Sequence, residues 1–420
     1  MRSGKKAMTR LEVDGGGERD DRMRLPGVTR RVFFQAVAAP LATLALSGIS
    51  KAAGRSGGLP SAEREGSGFA GRATEDGDGA TPYGAIDRVR RSGALESAGS
   101  MGIAETSLTP PPRAIEGPVA SRLVRPPVWD AYELLEKCHE LGGAGIQTQL
   151  NGDLKKLRHR AEQFDMWIEG MVSVPRNGDT ASFEQSLLDA KAAGATVVRA
   201  AMLGGRRYES FTKLEDWKRW VDQSRGAVEL VVRLLDRHKV VLAIENHKDW
   251  TLDEMQGLLK TYESEYLGCC FDFGNNIALL DDPMDMAVTL APYVKATHVK
   301  DMAVRPYQDG FLLSEVPLGT GLLDLVGMVT TLRRANPRLR LSLEMITRDP
   351  LKVPCMTPQY WTVFPDRNGR YLARIFKLVQ EHGGGGPLPT VSQLSREERV
   401  RVEEENIKVC ISYASAHLAH

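Results

Sequence analysis

No two of the five cysteines, Cys138, Cys269, Cys270, Cys355 and Cys410, stand in a CxxC spacing, and their number is odd. A zinc knuckle or a disulfide framework is therefore not expected. Net charge is nearly absent, because 55 basic and 54 acidic side chains leave +1. That balance gives no electrostatic footprint for nucleic acid or for an anionic membrane surface. The apolar stretch AVAAPLATLAL, ending at Leu46, is too short and too rich in Ala for a stable membrane span. A doubly wound sheet around a nucleotide would need a GxGxxG after its first strand or a P-loop, and neither occurs. What remains is ordinary for a soluble globular protein: 42% apolar and 26% charged side chains in 420 residues. The length suits one large domain with appendages.

The first hundred residues differ in character from the rest. The segment TRRVFFQ, Thr29 to Gln35, precedes the short apolar stretch, and small residues follow near Ser50 and Ala52. This order is that of a signal peptide over residues 1–53. The pair Arg30–Arg31 followed by Val32, Phe33 and Phe34 resembles the twin-arginine export signal. The twin-arginine export machinery would then be a partner, and the mature protein would be periplasmic or extracellular in a bacterial cell. Residues 54–100 are rich in Gly, Ser, Arg, Glu and Asp without an apolar period, which predicts a disordered tether.

From Met101 to about residue 384 the pattern alternates short apolar runs with helical stretches. Eight runs read as strands: 101–108, 145–150, 170–175, 196–202, 240–246, 267–275, 294–301 and 340–346. Ser182 with Gln185 and Thr251 with Glu254 have capping-box spacing, and Gly194 stands where the first of these helices should end. Eight strand–helix units in this length predict an α/β fold, a (β/α)8 TIM barrel. Cys269 and Cys270 fall inside an apolar run and read as buried strand residues. GGGGPLP, Gly383 to Pro389, interrupts the chain. Residues 385–420 then form a C-terminal helical extension, with a capping box at Ser395 and Glu398 and a stripe of Val400, Ile407, Ile411 and Ala414.

Four consecutive strands end alike. VVLAIE stops at Glu245, LGCCFD at Asp272, VKATH at His298 and RLSLE at Glu344. The first three lie 27 and 26 residues apart, one strand–helix unit each, and the last follows after 46. In such a barrel the carboxyl ends of the strands form the active face. Three carboxylates converging there without a cation would raise one another's pKa, and one divalent ion removes the conflict. Three oxygen ligands and one imidazole suit Mn²⁺, Co²⁺, Mg²⁺ or Zn²⁺ with positions open to substrate. His247 could touch substrate or serve as a structural hydrogen-bonding group. Lys300 could touch substrate or pair with Asp301, and Arg199 could hold a substrate oxygen or a carboxylate ligand. His139, His159 and His238 lie in helical stretches and read as structural or solvent-facing. Tyr360, Trp361 and Phe364, in the insert Thr347–Gly369, could stack on a sugar or pack on the end of the barrel.

These motifs, IEN at Glu245, FDFGN at Asp272, THVKD at His298 and LEM at Glu344, resemble the xylose-isomerase-like TIM-barrel superfamily, the sugar phosphate isomerase/epimerase group. PLGTGLLD, Pro317 to Asp324, resembles the same group's PLGxGxxD segment. The resemblance spans roughly residues 101–382 and is strongest over 240–346. It implies Glu245, Asp272, His298 and Glu344 as ligands of one divalent metal, with Glu245 and Glu344 also the catalytic acid/base pair. Several epimerases of the group carry a His three residues after the aspartate, where this chain has Asn275. The DxxH and DxH pairs of the group's lesion endonucleases are absent, which sets nuclease chemistry aside. The implied activity is an exported, metal-dependent isomerase or epimerase of a sugar or cyclitol, acting through an enediolate. Alternatives are a lyase or dehydratase on a keto-sugar or keto-glycoside, and a non-catalytic sugar-binding barrel. His247, Lys300 and Arg199 are the expected substrate-binding residues of a carbohydrate site.

Overall fold

The structure is a computed structural model that describes residues 101–111, 128–176 and 178–419. The expected export signal and tether lie outside the described residues. Eleven strands are present among those described: β1 (Gly102–Ala104), β2 (Gly145–Gln149), β3 (Trp167–Met171), β4 (Val197–Ala201), β5 (Val241–Glu245), β6 (Leu267–Asp272), β7 (Val294–His298), β8 (Asp301–Tyr307), β9 (Gly310–Val316), β10 (Ser342–Leu343) and β11 (Leu351–Val353). β1 to β7 pair in parallel and in chain order, and β10 pairs with β1. Val299 closes the ring. Its N–H donates to the Ser342 carbonyl at 2.7 Å, and its own carbonyl accepts from Glu344 N at 2.9 Å. The chain is thus a (β/α)8 TIM barrel, as the eight strand–helix units predicted.

Strand alternation explains what faces inward. On β5 Leu242 and Ile244 join the main apolar core under the helices, whereas Ala243 packs in a small separate cluster with Cys270 of β6 and Ala296 of β7. A period of two makes that cluster the barrel interior. One step further along each strand stand Glu245, Asp272 and His298. Small side chains therefore fill the layer beneath, and polar ones form the layer at the mouth. The five cysteines are all free and buried.

Two sequence expectations need correction. The third strand is Trp167–Met171 rather than 170–175. Its inward residue is Glu169, which broke the apolar run, while Val172 and Val174 follow the strand. Ser182 and Gln185 form no capping box: the helix Ala181–Ala192 starts after Thr180, and Asp179 Oδ1 accepts from Ala181 N at 3.0 Å. Gly194 does end that segment with φ +78, a backbone region open to glycine at little cost. The capping boxes at Thr251–Glu254 and Ser395–Glu398 are both formed. The last helix, Arg396–His417, is docked through Ile407, Ile411 and Ala414, with Val400 half-buried. No helix among the described residues is long and apolar enough to cross a membrane.

The hairpin β8–β9, which with β11 makes an antiparallel three-stranded sheet after β7, was not among the expected elements. It accounts for the longer interval before Glu344. The PLGTGLLD segment follows this hairpin and is organised by Asp301. That carboxylate accepts from the backbone N–H of Met302, Gly319, Gly321 and Leu323 at 2.8–3.1 Å. A Cβ on Gly321 would stand 2.2 Å from Asp301 Oδ1, so glycine is required there. Asp301→Ala leaves four amides without an acceptor. We expect a loss of about 3 kcal/mol, read as a fall in Tm of roughly 5 °C or more. An unchanged melt would mean that water replaces the carboxylate.

Candidate metal centre

Glu245, Asp272, His298 and Glu344 converge, each offering one ligand atom within 4.8 Å of the others, and all four are buried. His298 Nδ1 lies 3.4 Å from Glu245 Oε1, 3.3 Å from Glu344 Oε1 and 3.9 Å from Asp272 Oδ2. It has no hydrogen-bond partner. A buried imidazole nitrogen facing three carboxylates suits an ion that takes its lone pair. Ligands about 2.1 Å from one centre stand roughly 3.0–3.5 Å apart, close to the spacing seen. The residues present therefore fit one divalent cation.

The surrounding groups aim these atoms. His298 Nε2 hydrogen-bonds Gln147 Oε1 at 2.5 Å, and Gln147 Nε2 in turn donates to Glu169 Oε2 at 3.0 Å. With Gln147 Oε1 as acceptor, Nε2 carries the proton and Nδ1 is left as the ligand. Asp272 Oδ1 accepts from Gly274 N and Asn275 N at 2.9 and 2.8 Å, leaving Oδ2 for the centre. Asn246 holds the strand end itself: its amide donates to the Asp272 carbonyl at 2.9 Å, and its Oδ1 accepts from Asp272 N at 2.8 Å. Thr106, just after β1, donates to Glu344 Oε1 at 2.9 Å.

Two cations stand against the cluster. Arg199 pairs with Glu245 Oε2. It sits level with Ala243, one layer below Glu245, so its longer side chain reaches up to that carboxylate. Here it holds that carboxylate. Lys300 pairs with Asp272 Oδ2 at 2.7 Å and with Glu344. It does not pair with Asp301. Lys300 lies two residues beyond His298 and shares its inward side, whereas Asp301 is taken up by four amides. His298 becomes a third when protonated.

Burial would lower His298, but Glu344 and Glu245 outweigh it and raise its pKa to about 9. Burial raises Asp272 to about 6 despite Lys300. Glu245 is held below the usual carboxylate range: burial opposes, and Arg199 and His298 prevail. Glu344 is held well below it by His298 and Lys300, again against burial.

The remaining expected residues separate clearly. His247 is half-buried, its Nδ1 donates to the Leu203 carbonyl at 2.8 Å, and Nε2 makes no hydrogen bond among the described residues. His139 stacks on Phe164, His159 meets Gln163 and His238 meets Glu184, all on helices. Tyr360 and Phe364 are buried and stacked on one another, and the Tyr360 hydroxyl donates to the Ala278 carbonyl. Of the two roles open to these aromatics, packing on the end of the barrel is realised. Gln147, Glu169 and Lys248 were not singled out from sequence. Gln147 and Glu169 could have been found as polar inward positions in otherwise apolar strands.

A family model described as xylose isomerase-like TIM barrel matches residues 135–361, more than half of the chain. The 3-oxo-isoapionate decarboxylase of Pectobacterium atrosepticum is 26% identical over 192 residues. That match covers 45% of this chain and 65% of the relative, just under two thirds of its length. An uncharacterized protein of Escherichia coli, YihM, is 35% identical over 65 residues, 16% of this chain and 20% of the relative. Among solved structures, a D-psicose 3-epimerase crystallised in the presence of D-fructose is similar at a TM-score of 0.46 and 14% identity. It is covered to 95%, against 70% of this chain.

Proposed function

From a chain that belongs to the xylose isomerase-like TIM barrel family, we infer a metal-dependent enzyme that moves a carbon-bound proton of a keto-sugar or keto-cyclitol. The observation that carries this reading is the unpartnered, buried Nδ1 of His298 facing Glu245, Asp272 and Glu344. When bound, a divalent ion supplies the positive charge that stabilises an enediolate. The rest falls to the side chains. Glu245 and Glu344 flank His298 Nδ1 at similar distances, 3.4 and 3.3 Å. A substrate lying between them has one carboxylate on either side. One removes the proton beside the carbonyl, and the other returns it at the neighbouring carbon or on the opposite face. Arg199 fixes Glu245 and Lys300 fixes Glu344, so neither carboxylate swings during the transfer. His247 Nε2 is free for a substrate hydroxyl.

Isomerisation or epimerisation is the first reading. A lyase is the second, favoured by the curated relative named as a decarboxylase. A lyase would form the same enediolate in one of two ways. It would remove the proton beside the carbonyl and then expel a leaving group, as hydroxide or alkoxide, from the next carbon, or it would lose a carboxylate on the carbon beside the carbonyl as carbon dioxide. The product separates the two, as argued below.

Export is part of the proposal. Arg30–Arg31 before a short apolar stretch supports the twin-arginine route, which carries folded proteins and suits a chain loaded with metal before export. Changing both arginines to lysine is expected to hold the precursor in the cytoplasm, seen by fractionation and immunoblot. Export at the wild-type level would remove the twin-arginine assignment.

A further inference from the structure

We propose that the substrate carries a carboxylate, and that Lys248 is the residue that binds it. The inference rests on the reading of the site as a metal-dependent keto-sugar enzyme and narrows its substrate to a sugar acid.

Lys248 is 5% exposed, yet it has no carboxylate oxygen within 4.0 Å among the described residues. Its Nζ meets only the side-chain carbonyl of Asn275. The other cations of the mouth are each matched: Arg199 by Glu245, Lys300 by Asp272 and Glu344, and Arg348 by Glu315. A buried ammonium without a counter-ion is costly. The backbone adds to that cost, for Lys248 has φ +60, a left-handed conformation unusual for a residue with a Cβ. The loop is held in this shape by its neighbours. Arg207 N donates to the Lys248 carbonyl at 3.0 Å, and Asp249 accepts from the backbone of His247, Trp250 and Leu203 at 2.8–3.2 Å. The fold thus spends stability to keep an unmatched positive charge at this point.

The position places that charge beside the reacting centre. Asn275, which takes the lysine, also donates from Nδ2 to the ligand Glu245 Oε1 at 3.1 Å. Lys248 is therefore one amide away from the metal cluster. With a divalent ion offsetting the ligand carboxylates, the mouth carries excess positive charge. A single ammonium beside one amide suits a monoanionic carboxylate. A phosphate, with more charge and more acceptor oxygens, ordinarily gathers several donors.

The test uses L-sorbose, 5-keto-D-gluconate and L-sorbose 6-phosphate, titrated calorimetrically into the full chain with and without Mn²⁺. The first two differ only in a terminal hydroxymethyl group replaced by a carboxylate. Metal-dependent binding of L-sorbose or of the acid belongs to the keto-sugar reading, and the absence of both overturns that reading and this one together. Preference for the acid belongs to Lys248 alone. We expect the acid to bind at least tenfold tighter than L-sorbose to the Mn²⁺-loaded chain. Lys248→Met should shrink that preference below threefold, and Lys248→Arg should keep it. Lys248→Met should melt no lower than wild type, because it removes a buried unmatched charge. Equal binding of acid and neutral sugar, a preference that survives Lys248→Met, or tighter binding of the phosphate than of the acid would each overturn the carboxylate assignment. A Tm several degrees lower in Lys248→Met would show that the lysine serves the fold instead.

Discussion

His298→Ala and Asp272→Ala are each expected to reduce bound divalent ion from about one per chain to less than a tenth, and activity by at least about a thousandfold. The reason is geometric. His298 supplies the nitrogen that faces all three carboxylates, and Asp272 has one oxygen fixed by two backbone amides so that the other points at the centre. Removing the imidazole leaves Glu245 and Glu344 with only Arg199 and Lys300 to balance them. Removing Asp272 leaves Lys300 with Glu344 alone. Neither change touches the apolar layer beneath, where Ala243, Cys270 and Ala296 pack, so the barrel should still fold. Metal analysis on purified protein, with circular dichroism alongside, reads both points. Full occupancy in either variant would mean that the ligands are wrongly assigned.

The convergence of Glu245, Asp272, His298 and Glu344 was legible because each ends an apolar run, and because consecutive parallel strands deliver their ends to one face. Two adjacent facts were not legible, for different physical reasons. Lys300 and Asp301 are neighbours of opposite charge, and a local pair was a natural expectation. Strand alternation sends them to different sides, where Lys300 meets Asp272 and Glu344 and Asp301 gathers four amides. Lys248 stands in a loop, where no period predicts direction, and its left-handed backbone is set by Asp249 and Arg207 rather than by its own side chain. The β8–β9 hairpin escaped for another reason. RPYQDG does hold the turn dipeptide Asp309–Gly310, but Pro306 interrupts the run before it and FLLSEV after it does not alternate cleanly, so its length read as loop. The aromatic residues of the insert 347–369 could have gone either way, because Tyr360 and Phe364 bury equally well against protein or against a sugar face. In the structure they bury against protein: Tyr360 stacks on Phe364, and the Arg207 guanidinium lies 4.4 Å from the centre of the Phe364 ring.

Glu245→Gln and Glu344→Gln should each slow proton transfer by about 10²–10⁴ while changing binding far less. Glutamine keeps the shape of the side chain but cannot take a proton from carbon. The direct measurement is exchange in D₂O. The wild type should place deuterium at the carbon next to the carbonyl of a keto-sugar, because the carboxylate that takes the proton, although buried, exchanges it with D₂O whenever the site opens between turnovers. Each Gln variant should lose that exchange. Occupancy must be followed in the same samples, since both residues also face the ion: a variant without metal tests the ligand role, and a variant with metal tests the base. The two variants need not fall equally. Glu245 is tied through Oε2 to Arg199 and through Oε1 to Asn275, whereas Glu344 is tied to Lys300 and Thr106. Glutamine at 245 leaves a buried guanidinium unmatched; glutamine at 344 leaves Lys300 its bond to Asp272. Metal is therefore retained better in Glu344→Gln, which makes it the cleaner test of the base. If both variants keep metal and turn over near the wild-type rate, neither glutamate is the base, and His247 or Lys300 takes that role. Deuterium retained in an isomer or epimer assigns the first reading, and an unsaturated, dehydrated or decarboxylated product assigns the lyase. Binding without turnover or exchange in the wild type would leave a sugar-binding barrel.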